Sequence, residues 1–67
     1  MITIFLNGLE RDVESDIDLA KLLDSLSLPS QRIAVELNSS VIRRADWERT
    51  TVAEGDRIEV VQFVGGG

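Results

Sequence analysis

The chain has 67 residues, of which 12 are acidic and 7 are basic, and it contains neither cysteine nor histidine. This length supports one small domain, and the composition excludes disulfides, thiolate nucleophiles, the usual zinc ligand sets and a Ser-His-Asp triad. The net charge of −5 opposes binding along a phosphate backbone, so we expect no nucleic-acid partner. Met1 is followed by neither a basic region nor a long apolar segment, which predicts a cytoplasmic protein without a signal peptide or membrane span.

The N-terminal segment is predicted to form a β-hairpin. Asn7-Gly8 separates two alternating segments, and both residues tolerate the positive φ that a two-residue hairpin turn requires. The strands are expected at residues 2–6 and 9–13, with the acidic side chains of the second strand toward water. We expect the following residues to share one buried face: Ile2, Ile4, Leu6, Leu9 and Val13.

An amphipathic helix is predicted next. Leucines 19, 22, 23 and 26 follow the spacing of one apolar helical stripe, which must be buried against a sheet. Asp18 is the expected N-cap, because its carboxylate can accept hydrogen bonds from free amides of the first turn. Pro29 is expected to end the helix, since it disfavours helical geometry at the preceding residue.

The rest of the chain predicts three more strands and one helical turn. Residues 33–37 alternate, residues 38–40 form a turn before a short strand at Val41 and Ile42, and residues 45–49 form a helical turn with Trp47 pointing inward. A turn at residues 54–56 precedes the last strand, which begins at Arg57. The order predicts an α+β fold, in which one main helix covers a mixed sheet of four to five strands and the first and last strands are central neighbours.

No side chain stands out as a catalyst. The pairs Asp12 with Glu14 and Glu54 with Asp56 could exchange protons, but a catalytic carboxyl group needs burial or a close like charge to shift its pKa. Both pairs fall in hairpin or turn segments, so we interpret them as surface charges. Trp47 could be a ligand platform, but a ring that fills the open end of the core is the favoured interpretation.

The end of the chain carries the main functional signal. If Ile58 faces the helix, Val61 and Phe63 project from the uncovered side of the sheet, where two apolar residues indicate an interface that Val64 could extend. Gly65, Gly66 and Gly67 follow directly, and glycine adds no stability to a strand. A tail without side chains can enter a narrow slot and present its terminal carboxylate. We expect one domain at residues 1–64 and a flexible tail at residues 65–67.

The sequence resembles the ubiquitin-like β-grasp sulfur carriers, most closely the ThiS family of thiamine biosynthesis. The resemblance covers nearly the whole chain and rests on the LNG hairpin, the LAKLLDSL helix, the EGDRIEVVQFV strand, the terminal glycines and one spaced pattern, Leu37, Asn38, Val41, Ile42, Arg44 and Trp47. Each part alone is weak, and their combination is specific. The turn after Val13 is less regular than in the family, which affects only the start of the helix.

The resemblance implies a carrier that binds no cofactor and is itself not an enzyme. An E1-like adenylating enzyme would use ATP to activate the Gly67 carboxylate, and a cysteine desulfurase or other sulfur donor system would supply sulfur for a thiocarboxylate. Thiazole synthase would receive that sulfur, with Gly65 and Gly66 threading into partner active sites and Val61, Phe63 and Val64 docking. We expect a monomer that binds no metal.

Three alternatives remain open at this point. The same fold serves as the small subunit of molybdopterin synthase, which donates sulfur to a different precursor. A ubiquitin-like protein modifier would instead join Gly67 to target lysines. In a binding module, the glycines would be only a loose end.

Overall fold

Five strands form one mixed sheet in the part of the chain that the computed structural model describes, residues 1–27 and 32–63. The strands are β1 (Ile2–Leu6), β2 (Leu9–Val13), β3 (Ile33–Leu37), β4 (Ser40–Ile42) and β5 (Arg57–Gln62). Their spatial order is β2-β1-β5-β3-β4, so β5 is the central strand. It pairs in parallel with β1 and antiparallel with β3, which confirms the predicted mixed sheet and the central pairing of the first and last strands.

Two tight turns with positive φ connect the strands of the two outer antiparallel pairs, one at each side of the sheet. Asn7 and Gly8 have φ of 50° and 82°, as the predicted hairpin turn requires. Asn38 and Ser39 have φ of 51° and 75° between β3 and β4. Ser39 therefore holds a left-handed conformation that glycine adopts with less strain.

The main helix, α1 (Leu19–Ser25), covers one face of the sheet. The Asp18 side chain caps it, since Oδ1 accepts a hydrogen bond from the Lys21 amide at 2.8 Å. Leucines 19, 22 and 23 are buried and Leu26 is half-buried, as the stripe predicted. Pro29, the expected stop, lies outside the described residues. No helix in the described ranges is long and apolar enough to span a membrane.

A 3-10 helix, Arg44–Arg49, replaces the predicted single turn and closes one end of the core. Its Trp47 ring is 4% exposed, and the indole Nε1 donates to the Ile42 carbonyl oxygen at 3.0 Å. The next segment pairs with the chain before α1 through the bond from the Val52 amide to the Ile17 carbonyl oxygen, 2.9 Å long. The buried core consists of Ile4, Leu6, Leu19, Leu22, Leu23, Ile33, Val35, Trp47, Val52 and Ile58.

Leu9 is the main exception to the predicted core. It lies opposite Leu6 in the β1–β2 register, yet its side chain is 71% exposed. The reason is its position in the sheet, because β2 is an edge strand in which only Val13 is half-buried. A single seven-residue helix covers the central strands and leaves this edge open.

A candidate docking face at the end of the last strand

The face of the sheet turned away from α1 presents apolar side chains at the end of β5. Alternation along β5 buries Ile58, whereas Val61 is 56% exposed and Phe63, just beyond the strand, is 57% exposed. The predicted exposure of these two residues is thus confirmed. Their docking role stays a prediction. Val64, the third residue expected to dock, and the glycines at 65–67 lie outside the described residues.

Val41 also lies on this face, on the edge strand β4 beyond β3, although the sequence pattern predicted no face for it. It pairs with Glu36 of β3, which in turn pairs with Glu59 of β5, so all three lie on the exposed face. The Val41 side chain is 70% exposed. The sequence signal that could have placed Val41 was the alternation of buried residues along β3. The Asn38-Ser39 turn fixes the register between β3 and β4, so the faces of β4 follow from those of β3. We call Val61 and Phe63 the open-face patch, from which Val41 is separated by β3.

Acidic side chains accompany the open-face patch. Glu36 and Glu59 are directly opposite each other on adjacent strands and both are exposed. Like charges in this arrangement repel and slightly destabilise the sheet. On the same face, the Arg57 guanidinium lies 5.2 Å from the centre of the Phe5 ring. The face therefore combines apolar contact area with negative charge, and its complement is an apolar surface that carries basic groups.

The asparagines of the two turns fix β5 from both sides. Asn38 Oδ1 accepts from the Arg57 amide at 2.9 Å, and its Nδ2 donates to Asp56 Oδ1 at 3.1 Å. Asn7 Oδ1 accepts from the Val60 amide at 2.7 Å, and its Nδ2 donates to the Val60 carbonyl oxygen at 3.3 Å. Both side chains thus hold the strand that leads to the glycines.

Three of the four carboxylates considered as proton donors or acceptors make hydrogen bonds within the fold. Asp12 Oδ1 accepts from the Thr3 hydroxyl at 2.8 Å, and Glu54 Oε1 accepts from the Thr3 amide at 3.0 Å. Asp56 Oδ2 accepts from the Ala53 amide at 2.7 Å. These bonds organise the first hairpin and the turn before β5. Within residues 1–27 and 32–63, no group of three or more acidic side chains is placed to hold a metal ion.

A shallow groove on the other side of the molecule runs between α1 and the 3-10 helix. Lys21, Asp24 and Glu48 line it together with Trp47. Because the Trp47 ring is 4% exposed, most of its surface contacts the core. This placement supports the structural interpretation of the tryptophan over the ligand platform.

The chain is similar to proteins of thiamine biosynthesis. The model of the ThiS family matches residues 4–67. The crystal structure of a thiamine biosynthesis protein (ThiS) from Geobacter metallireducens superposes with a TM-score of 0.87 and 32% identity, covering 98% of this chain and 100% of that one.

Two kinds of curated relative also match. A thiazole synthase of Paramagnetospirillum magneticum is 33% identical over 96% of this chain, which spans only 20% of that relative's length. A thiazole synthase of Magnetococcus marinus is 39% identical with the same coverage of both chains, 96% and 20%. An uncharacterized protein of Trieres chinensis is 34% identical over 97% of this chain and 89% of its own length.

Proposed function

Because the chain belongs to the ThiS family of small sulfur carriers with a ubiquitin-like β-grasp fold, we propose that Gly67 carries sulfur as a terminal thiocarboxylate for thiazole formation in thiamine biosynthesis. The observation that carries this proposal is the placement of the exposed Val61 and Phe63 at the end of β5, which the sequence continues through Val64 into Gly65, Gly66 and Gly67. In this function the chain is a protein substrate and supplies no catalytic side chain.

The proposed chemistry begins with activation of the tail. A terminal carboxylate has a pKa of about 3.3 to 3.7 in reference peptides, so at neutral pH it is ionised and a poor electrophile. An E1-like adenylating enzyme would join the Gly67 carboxylate to AMP from ATP, releasing pyrophosphate. The outer sulfur of a persulfide from a cysteine desulfurase or another sulfur donor system would then attack the acyl carbon and displace AMP. A thiol would reduce the S–S bond of the acyl disulfide formed in this way and release the thiocarboxylate. The resulting thiocarboxylate keeps the sulfur tethered until thiazole synthase receives it.

The glycines suit this chemistry for a steric reason. Gly65 and Gly66 have no Cβ, so they can lie in a slot too narrow for other residues and leave the Gly67 carbonyl carbon open to attack. Recognition would then rely on the folded domain. Val61, Phe63 and Val64 would make the apolar contact, and the acidic surface would steer the carrier toward basic partners.

The relatives support thiazole synthase as the partner. Two proteins named thiazole synthase contain a region similar to this chain within a much longer polypeptide. Covalent linkage of this kind is typical of domains that act together, since it raises their effective concentration. We therefore place the carrier and thiazole synthase in one reaction sequence.

Intact-mass analysis of the protein isolated from its own cells tests the proposal. We expect a fraction of the chains to carry the mass increase of one oxygen-to-sulfur exchange, located at Gly67 by fragmentation. Deletion of Gly66 and Gly67 should abolish this species and leave the fold stable, because every residue of the described core precedes them. Sulfur transfer that persists after the deletion would refute the proposal.

Two further assays separate the alternatives. A deletion strain that requires molybdenum cofactor but no thiazole would favour the molybdopterin synthase subunit. A ladder of larger conjugates of tagged protein, without any thiocarboxylate, would favour the protein modifier.

A further inference from the structure

The central strand β5 extends beyond its neighbour β1. The parallel register joins Phe5 to Arg57 and Leu6 to Ile58, and β1 ends there. The chain reverses at Asn7-Gly8, whereas β5 continues to Gln62. The last residues of β5 therefore have β3 on one side and no continuation of β1 on the other.

The backbone hydrogen bonds show which residues of β5 face each side. On the β3 side, the Arg57 carbonyl oxygen accepts from the Asn38 amide and the Phe63 amide donates to the Arg32 carbonyl oxygen, both at 2.7 Å. On the β1 side, the Ile58 carbonyl oxygen accepts from the Asn7 amide at 2.8 Å. Because these directions alternate along a strand, the N–H and C=O groups of residues 58, 60 and 62 point to the β1 side.

The Asn7 side chain replaces the missing strand at one of these residues. Its amide group accepts from the Val60 N–H and donates to the Val60 carbonyl oxygen, as a neighbouring peptide group would. Two residues further on, no described residue makes the equivalent bonds to Gln62. Gln62 thus presents an extended donor and acceptor pair at an open edge.

We propose that an extended backbone segment of thiazole synthase, the partner that the relatives support, adds to this edge as a strand and pairs with Gln62. The inference rests on the proposed function and specifies how the carrier is held. A peptide strand is the occupant whose chemistry fits, because it offers one acceptor and one donor with the spacing that an open sheet edge requires. Val61 and Phe63 flank Gln62 on the exposed face, so side-chain contacts supply specificity while backbone pairing supplies orientation.

Strand addition also sets the reach of the tail. Gly67 lies five residues after Gln62, and an extended chain spans about 3.3 Å per residue, so the carboxylate would lie about 16 Å from the paired edge. Fixing Gln62 removes backbone freedom at the root of the tail before the reactive group enters the partner's site.

A proline substitution tests the proposal because the one backbone hydrogen-bond donor that it removes is the N–H group that faces the open edge. Gln62→Pro deletes this donor without removing a bond to β3, and proline is tolerated at such edge positions. Gln62→Ala is the matched control, since it keeps the N–H group and removes the same side chain. We expect Gln62→Ala to bind purified thiazole synthase like the unmodified protein, and Gln62→Pro to bind about tenfold more weakly, about 1.4 kcal/mol.

Thermal unfolding of both variants shows whether either substitution has destabilised the fold. If Gln62→Pro unfolds, an ester in place of the Val61–Gln62 peptide bond removes the same donor and keeps the side chain. Equal affinity of the alanine variant and of the folded proline or ester variant would overturn strand addition, even with thiocarboxylate present on the unmodified protein. Absence of both thiocarboxylate and partner binding in the unmodified protein would overturn the proposed function itself.

Discussion

Replacing Asn7 by glycine should destabilise the whole domain, although Asn7 is an exposed turn residue. The change keeps the positive φ of 50° without strain and removes both side-chain bonds to Val60. A typical net contribution is about 1 kcal/mol per hydrogen bond, and we assign about half of that to the longer one. We therefore expect a loss of about 1.5 kcal/mol.

This loss is large for so small a domain. A chain of this size is stabilised by roughly 3 to 10 kcal/mol in total, and each kcal/mol shifts the melting temperature by about 4 to 8 °C. The expected decrease for Asn7→Gly is therefore about 6 to 12 °C. Asn7→Asp should lose only about 0.5 kcal/mol, a third as much, because Oδ1 can still accept from the Val60 amide at its 2.7 Å position and only the longer bond is lost.

Urea unfolding followed by the fluorescence of Trp47, the single tryptophan, measures the effect directly. With a slope of about 1 kcal/mol per molar urea, the midpoint should fall by roughly 1.5 M for Asn7→Gly. If the glycine variant stays within about 0.3 kcal/mol of the unmodified protein, Asn7 does not hold β5 and the reasoning fails. An aspartate variant that is no more stable than the glycine variant would show that the shorter bond contributes nothing.

Three further predictions concern the open-face patch, the core and the second turn. Phe63→Asp should weaken partner binding by up to about 100-fold in calorimetric titration, because burying its exposed ring area of roughly 100 Å² contributes about 2.5 kcal/mol. Leu9→Asp on the other face is the matched control. Equal effects of the two substitutions would exclude specific docking. Trp47→Phe should cost about 2 kcal/mol of unfolding free energy by circular dichroism, since ring volume and the bond to the Ile42 carbonyl are lost, and an unchanged value would contradict its role in the core. Ser39→Gly should raise stability by about 0.5 kcal/mol in the same urea assay, because it relieves a φ of 75°, and a decrease would show that Ser39 is not strained.

Local rules predicted most of the fold. The Asn-Gly pair defined the first turn, the leucine spacing defined α1, and the capping rule identified Asp18. Each of these signals depends on residues that are close together in the sequence, so no knowledge of the tertiary structure is needed. The order of the elements predicted that the first and last strands are central neighbours, which the parallel pairing of β1 with β5 confirms.

The remaining features depend on which elements become neighbours. Alternation placed Leu9 on the helix side of the hairpin but could not show that β2 lies at an uncovered edge. The bonds from Asn7 to Val60 join residues 53 positions apart, so the turn residue gave no sign of this second role. Val52 enters the core through pairing with the segment before α1, again a contact between distant parts of the chain.

The described core ends at Ile58, well before the glycine that is proposed to carry sulfur. In the proposed function, the chemistry at Gly67 would take place beyond every side chain of the described core. A sulfur-bearing chain and a bare one should therefore melt at the same temperature and exchange amide protons alike in the sheet. An enzyme that distinguishes the two forms would have to contact the terminal sulfur or oxygen atom itself, because the folded domain is expected to be the same in both.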